Sequence, residues 1–126
     1  MKRDIKFKLW LGHTKKMTYE HSLIEISHAA WDFTEDIIAL QFTGMVDKNG
    51  KEIYEGDIIQ TVGDNGERLS TFKVYYHDCS FMKERKDGET FLLQRSQKWL
   101  MVIGNVYETP ELFETKKVKW SEPKVD

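Results

Sequence analysis

The sequence has a single cysteine, Cys79, and no run of apolar residues long enough to cross a membrane. One cysteine cannot form an internal disulfide, so we expect the chain to work in a reducing compartment. A membrane helix needs roughly 18 or more consecutive apolar residues. The opening segment MKRDIKFKLW carries charges through its apolar stretch and lacks a small-residue cleavage site. These absences predict a cytoplasmic protein that makes no contact with a membrane.

The chain also lacks an excess of either charge, because 19 basic residues face 21 acidic ones and the net charge is −2. Proteins that attract nucleic acid through their overall field carry a clear positive excess. Residues 115–126 are locally basic, with four lysines and two acids. This tail is either a mobile terminus or, because Val118 and Trp120 alternate with lysines, an edge strand that packs on a neighbouring subunit.

Internal repeats and linkers rich in proline or serine are absent, so 126 residues predict a single domain over 1–114 followed by the tail. Turn chemistry is abundant instead, at Asn49-Gly50, Asn65-Gly66 and Asp87-Gly88. Such pairs favour β-hairpins whose two-residue loops have positive φ at both positions. The first hairpin is predicted to be centred on residues 47–51. Three hairpin signals indicate an antiparallel all-β meander.

Alternating apolar and polar residues predict most of the strands. In the first strand, Ile5, Phe7 and Leu9 are expected to face the core and the intervening lysines the solvent. Residues 27–36 are a loop or one helical turn. The predicted strands are 5–10, 17–19, 23–26, 37–42, 53–54, 57–62, 70–77, 81–84, 91–93 and 100–106.

A short helix is predicted near the end of the domain. Thr109 is the expected N-cap, Pro110 occupies the first helical position and Glu111 places an acid in the first turn. The helix is expected to end at about Phe113.

Three blocks in the chain resemble a known family: DIKFKLW at 4–10, QFTGMVDKNGKEIYEGDII at 41–59 and VIGNVYETPEL at 102–112. In this content and order they resemble the YopX family, small proteins encoded largely by bacteriophages and prophages. Departures are slight, with Leu9, Phe42 and Thr109 where the family usually has Ala, Tyr and Asn. The resemblance implies a compact β-barrel-like fold, self-association and a bacterial host cell. It supplies no assigned activity, catalytic residue or cofactor.

Physical reasoning gives these blocks a structural role. Glycines at strand ends allow positive φ or close backbone approach, and Asp57 can accept backbone N–H groups in its turn. The string from Tyr54 to Ile59 resembles the strand entry of SH3-like barrels, an analogy of shape. The residues interpreted as structural turn and strand-entry positions are Gly44, Asn49, Gly50, Tyr54, Gly56, Asp57, Gly104 and Asn105.

Chemical interpretations are weaker than structural ones. His77-Asp78-Cys79 contains metal-ligand types, but successive strand residues face opposite sides and no fourth ligand follows a recognised spacing, so a turn with a core cysteine is favoured. Cys79 with His77 as a base lacks an orienting third group. The acidic residues Glu52, Glu55 and Asp57 are interpreted as a solvated turn. We therefore predict no catalytic residue, no metal and no cofactor.

Aromatic and basic residues offer a candidate interaction surface, consisting of Trp10, Tyr75, Lys83, Arg85 and Trp120. Small barrels that bind single strands stack bases on such aromatic side chains. Aromatic residues are equally frequent in barrel interiors and at subunit contacts. The favoured hypothesis is a non-enzymatic, phage-encoded all-β module that self-associates and binds a host or phage protein. A nucleic-acid-binding barrel is the alternative, not favoured because of the net charge, and a hydrolase-type enzyme is the third hypothesis.

Overall fold

The computed structural model describes residues 5–12, 14–21, 37–93 and 99–113. These residues form a mostly β structure of two antiparallel sheets, one of them curled as a half-barrel, which confirms the predicted all-β class. The strands are β1 Phe7–Leu11, β2 Lys16–His21, β3 Ile37–Val46, β4 Glu52–Tyr54, β5 Asp57–Val62, β6 Arg68–His77, β7 Ser80–Arg85, β8 Thr90–Leu92 and β9 Leu100–Asn105.

The first sheet has the strand order β2-β1-β3-β4 and the second the order β8-β7-β6-β5-β9. Strands β5 to β8 follow one another in space as in sequence, which is the predicted meander. Strand β9 returns to the other side of β5. Within the described part of the chain, β1 pairs with β2 on one side and β3 on the other, so it is an interior strand of its sheet.

The predicted hairpins exist, but their loops differ from the prediction. At the first one, the Gly50 N–H donates to the Asp47 carbonyl at 3.0 Å and the Asp47 N–H to the Lys51 carbonyl at 2.8 Å. Gly50 has a φ of 83°, whereas Asn49 is not among the positive-φ residues. This is a three-residue loop, a type I turn followed by a left-handed glycine. The same pattern recurs at Gly66 and Gly88.

A two-residue loop of the predicted kind occurs where no glycine marks it. Strand β6 ends at His77 and pairs with Ser80, the first residue of β7. The two residues between them, Asp78 and Cys79, have φ values of 53° and 64°. Cys79 is exposed, so the expectation of a core cysteine is wrong because the residue occupies the tip of this hairpin.

The core lies between the hairpin of β3 and β4 and the second sheet. Its buried members are Ile53, Ile59, Phe72, Val74 and Leu100, each no more than 5% exposed. Met45, Leu93 and Val102 pack around them. Burying such side chains stabilises a domain by about 1.5–3 kcal/mol each relative to leaving them in water.

After β9, a short 3-10 helix spans Pro110–Leu112. Thr109 occupies the N-cap position as predicted, but its side chain caps nothing. Its hydroxyl donates to the Asn105 carbonyl and accepts from the Asn105 N–H, both at 3.1 Å. The predicted strand 23–26 and the tail 115–126 lie outside the described residues. Nowhere in the described ranges does a helix reach the length and apolarity needed to span a bilayer.

Candidate functional site

A small cavity of about 190 Å³ contains the most deeply buried charges of the described structure. The Lys8 ammonium lies 2.5 Å from Oδ1 of Asp57, and the two residues are 3% and 2% exposed. Lys8 comes from β1 and Asp57 from the start of β5, so the pair joins the two sheets. The cavity is lined by Lys8, Tyr19, Lys51, Glu52, Tyr54, Asp57, Val102, Gly104, Asn105 and Glu108.

The burial of Lys8 corrects the sequence prediction, which placed the lysines of the first strand in solvent. Both faces of β1 are covered at this point, since Leu9 is also buried. The Lys8 ammonium lies 4.9 Å from the ring centroid of Tyr54 and 5.6 Å from that of Tyr19. These aromatic faces attract a cation and partly replace its lost hydration. Ile5, predicted to face the core, is 46% exposed.

Asp57 is fixed by the turn that precedes β5. Its second carboxylate oxygen accepts the Tyr54 N–H at 2.8 Å, as expected for a residue that closes a turn. Gly56, between them in the chain, has a φ of 85°, and an added Cβ would lie 3.2 Å from the Tyr107 ring. Burial raises the pKa of the Asp57 carboxyl, and the adjacent Lys8 ammonium opposes that rise.

Asp47 is a second buried carboxylate, 4% exposed, and it also accepts backbone N–H groups. Oδ1 accepts from Asn49 at 2.8 Å and Lys51 at 2.9 Å, which fixes the hairpin loop. Oδ2 accepts the Val102 N–H of β9 at 2.8 Å. One side chain therefore ties the loop between β3 and β4 to the second sheet.

Asn105 ends β9 and organises the chain after it. Its Oδ1 accepts the N–H groups of Tyr107 at 3.0 Å and Glu108 at 2.7 Å, and its Nδ2 donates to the Glu108 carboxylate at 2.8 Å. Gly104 allows the chain to fold back closely, because an added Cβ would lie 2.1 Å from the Thr109 hydroxyl oxygen and 2.8 Å from Leu112 Cδ1.

The remaining acids near the cavity are also engaged. Glu52 pairs with Lys6 and accepts the Tyr54 hydroxyl at 2.9 Å. Glu55 accepts the Gln41 N–H at 2.8 Å. The prediction of a solvated acidic turn is therefore wrong for Asp57, and all three carboxylates hold other parts of the fold in place. Burial, with the nearby carboxylates, raises the pKa of Tyr19, which lies at the cavity.

His77 at the hairpin tip and Asp57 in the cavity each contact other groups of the described structure. His77 is largely exposed, with Nε2 3.4 Å from the carboxylate of its neighbour Asp78. In the ranges that the structure describes, no group of three or more His, Cys, Asp or Glu side chains could hold a metal ion. Both oxygens of Asp57 already accept hydrogen bonds, from Lys8 and from Tyr54.

The predicted interaction surface is not brought together as one patch. Trp10 packs on Tyr107 with ring centroids 5.6 Å apart. Tyr75 pairs with Met82, whereas Lys83 pairs with Val74, so Tyr75 and Lys83 project from opposite faces of the second sheet. Arg85 shares the face of Lys83 and lies over the ring of Phe91. Trp120 lies outside the described residues.

Strand β8 is a more coherent surface feature. Within the described residues it is the outermost strand of the second sheet and pairs with β7 alone. All three of its residues are exposed, including Phe91 at 37% and Leu92 at 52%. An edge strand presents unpaired backbone N–H and C=O groups, and apolar side chains make it a template for another strand. Polar loop residues at its N-terminal end are Asp87 and Glu89, which pair with Arg85.

Sequence reasoning identified Asp57, Gly56, Gly104 and Asn105, but it missed the roles of Lys8 and Asp47. Asp47 carried a usable signal, because an aspartate two residues before Asn-Gly can accept the N–H groups of the loop. The sequence gives no such signal for Lys8, because apolar and polar residues alternate around it as in any half-buried strand.

The chain is similar to one protein family and to solved structures of the same fold. Residues 7–114 match the family described as YopX protein. No curated protein matches the chain. Among solved structures, protein EF1440 from Enterococcus faecalis is similar at 26% identity and a TM-score of 0.66, covering 90% of this chain and 100% of that one. Protein yopX from Bacillus subtilis is similar at 20% identity and a TM-score of 0.53, covering 86% of this chain and 98% of that one; at this identity the likeness shows the fold.

Proposed function

The chain belongs to the YopX protein family, and we propose that it is a non-enzymatic binding module that takes a segment of a partner protein as an added strand on β8. The observation that carries this proposal is the edge of β8, whose apolar residues are exposed and which, among the described strands, pairs with β7 alone. Three polar residues of the family motifs also support a non-enzymatic role. Asp47, Asp57 and Asn105 accept hydrogen bonds from backbone N–H groups and so stabilise the fold.

The setting proposed for this activity follows the family resemblance. A phage or prophage gene would express the protein in the cytoplasm of a bacterial host, and the single cysteine fits a reducing compartment. The partner is then a host or phage protein with an extended segment. Strand addition supplies affinity through main-chain hydrogen bonds and specificity through alternate side chains.

Self-association is the second part of the proposal. The first sheet exposes Tyr19 at 52% and Ile38 at 40%, and Ile5, which precedes β1, is 46% exposed. Exposed apolar side chains of this size are common at subunit contacts. Light scattering is expected to give a mass of at least twice the chain's 14.9 kDa. A 14.9 kDa species at every concentration up to the micromolar range would remove this part of the proposal.

The edge is tested by Thr90→Pro, because the Thr90 N–H faces away from β7 and proline is tolerated on an edge strand whose N–H points to solvent. Affinity capture from a bacterial lysate compares the wild-type protein with this variant as baits. We expect a partner that the wild type retains and the variant loses, with unchanged circular dichroism. Equal retention by both baits would place binding elsewhere.

Single-stranded nucleic acid is the second candidate ligand, because Lys83 lies over the Phe72 ring and Arg85 over the Phe91 ring on one face. Arg85 is already paired with Asp87 and Glu89, and the net charge is −2, so protein contact is favoured. Binding of an oligonucleotide that weakens steeply as salt rises is the signature of this alternative.

A further inference from the structure

Strand β7 places a lysine among apolar side chains of the second sheet. Lys83 pairs with the buried Val74 on one side and with Phe91 on the other. Because paired residues of antiparallel strands project to the same face, Lys83 lies between these two side chains. Its ammonium lies 4.7 Å from the centroid of the Phe72 ring.

Among the described residues, Lys83 differs from its cationic neighbours in having no acidic partner. Lys73 pairs with Glu84 at 3.5 Å, and Arg85 pairs with Asp87 at 2.9 Å. No carboxylate of the described residues lies within ion-pair distance of the Lys83 ammonium. Burial lowers the pKa of Lys83, because a half-buried ammonium without a counter-charge is disfavoured. The aromatic ring beneath it offsets part of that cost.

The backbone of β8 shows which groups are open. The Arg85 N–H donates to the Glu89 carbonyl at 2.8 Å, and the Leu93 N–H donates to the Phe81 carbonyl at 3.0 Å. In an antiparallel pair, residues that bond to the partner alternate with residues whose N–H and C=O face away. The backbone groups of Thr90 and Leu92 therefore point out from the sheet.

We propose that the β8 edge binds an extended acidic segment of a partner protein, whose carboxylate opposite Phe91 pairs with Lys83. This inference rests on the proposed function and specifies the chemistry of the partner. A residue added opposite Phe91 projects to the face of Lys83, two strand spacings or about 10 Å away. The Lys83 side chain reaches it by turning from the Phe72 ring past Phe91, beside the Arg85 guanidinium that lies over the Phe91 ring.

Neighbouring positions define a sequence pattern for this segment. An antiparallel strand meets Leu93 first, then Leu92, Phe91, Thr90 and Glu89. Apolar residues of the partner suit the positions opposite Leu93 and Leu92, and an acid suits the position opposite Phe91. A β-branched residue suits the position opposite Thr90, and a basic residue the position opposite Glu89. The pattern in the partner is therefore Val-Leu-Glu-Thr-Lys or a chemical equivalent.

The test uses the capped peptide Ser-Val-Leu-Glu-Thr-Lys-Ser and a matched peptide with Gln in place of Glu, titrated into ¹⁵N-labelled protein. We expect saturable shifts of the Thr90 and Leu92 amides and a rise in the pKa of Lys83 measured by NMR. The Gln peptide is expected to bind about tenfold more weakly at low salt. Lys83→Met should remove this preference, whereas the control Lys73→Met, on the opposite face, should preserve it.

The outcomes separate this inference from the proposed function. Equal binding of the two peptides, abolished by Thr90→Pro, would overturn the pairing with Lys83 and leave strand addition intact. Shifts that avoid β8, or no shifts with either peptide, would overturn the inference, and the capture experiment with Thr90→Pro then judges the proposed function by itself. Salt-dependent binding of oligothymidylate that Lys83→Met abolishes would also overturn it.

Discussion

Lys8→Met removes one charge from the buried ion pair that joins the two sheets. Methionine retains an unbranched apolar side chain beside the Tyr54 ring. The buried Asp57 carboxylate then keeps the Tyr54 N–H as its donor but loses the adjacent ammonium, and only the weaker influence of Lys51 remains. Removing one member of a buried pair is more destabilising than replacing both, because it leaves an uncompensated charge.

The expected loss is about 3–5 kcal/mol at neutral pH. A domain of this size has a total stability of about 5–15 kcal/mol, so the change consumes a large share of it. At about 4 °C per kcal/mol, the melting temperature should fall by about 12–20 °C. The double variant Lys8→Met/Asp57→Asn should recover about 2–3 kcal/mol, since the Asn oxygen can still accept the Tyr54 N–H.

The pH dependence has a defined sign. Burial already raises the pKa of Asp57 in the folded protein, and loss of Lys8 raises it further. An acid with a raised folded pKa contributes stability below its unfolded pKa of about 3.9 and loses it as pH rises through the folded pKa. The penalty of Lys8→Met should therefore be small near pH 4 and grow towards neutral pH.

Urea unfolding followed by tryptophan fluorescence, repeated between pH 4 and pH 8, measures the free energy of unfolding. The proteins compared are the wild type, Lys8→Met, Asp57→Asn and the double variant. A loss below about 1 kcal/mol at pH 7, or a loss that is the same at every pH, would show that Lys8 does not stabilise the buried Asp57 carboxylate. Additive single variants would show that Lys8 and Asp57 do not interact in solution.

Three further predictions concern the turns and loops of the same framework. Gly104→Ala should cost about 1–3 kcal/mol, because its Cβ would lie 2.1 Å from the Thr109 hydroxyl oxygen; thermal melts with Gly63→Ala as the control measure this, and equal melting temperatures would contradict it. Gly56→Val should destabilise the fold by at least about 1 kcal/mol, because a β-branched residue disfavours a φ of 85°; unchanged hydrogen exchange in β5 would contradict it. Asp47→Ala leaves three N–H groups without their acceptor and should cost about 2–4 kcal/mol in urea unfolding, whereas a loss below about 0.5 kcal/mol would show that water replaces the carboxylate.

Within the described residues, the sequence predicted the strands and the hairpin positions because they depend on local patterns. Asn-Gly and Asp-Gly pairs mark chain reversals wherever the flanking residues are β-formers. The loop type was mispredicted because Asp47 accepts the N–H groups of Asn49 and Lys51 and so favours a type I turn with one left-handed glycine. The Asp47 side chain therefore determines the loop type, which the Asn49-Gly50 pair alone does not.

The burial of Lys8 could not be predicted from alternation. The alternation of its neighbours places Lys8 on the polar face of a half-buried strand. Its partner Asp57 is 49 residues away in sequence, so no local pattern indicates the pair. Only the pairing of β1 with β3, and the packing of that sheet on the turn before β5, bring the two charges together. Long-range pairs of this kind leave no local periodic signal.

The described residues of the candidate interaction surface divide between two faces for a related reason. Tyr75, Lys83 and Arg85 appear close together in sequence, but strand geometry separates them by face. The register of β6 with β7 places Tyr75 opposite Met82 and Lys83 opposite Val74. Which strand forms an edge is set by sheet order, and the open edge of β8 was therefore not visible from sequence.

The residues that build the framework are separate from the residues proposed to bind a partner, and one comparison of affinities tests this separation. The NMR titration with the acidic peptide is repeated on Lys8→Met/Asp57→Asn and on Thr90→Pro, at a temperature where both variants are folded. We expect the double variant to bind within about twofold of the wild type and Thr90→Pro to bind at least about tenfold more weakly. Full binding by Thr90→Pro together with loss of binding in the double variant would contradict it, because the ligand site would then be the cavity of Lys8 and Asp57.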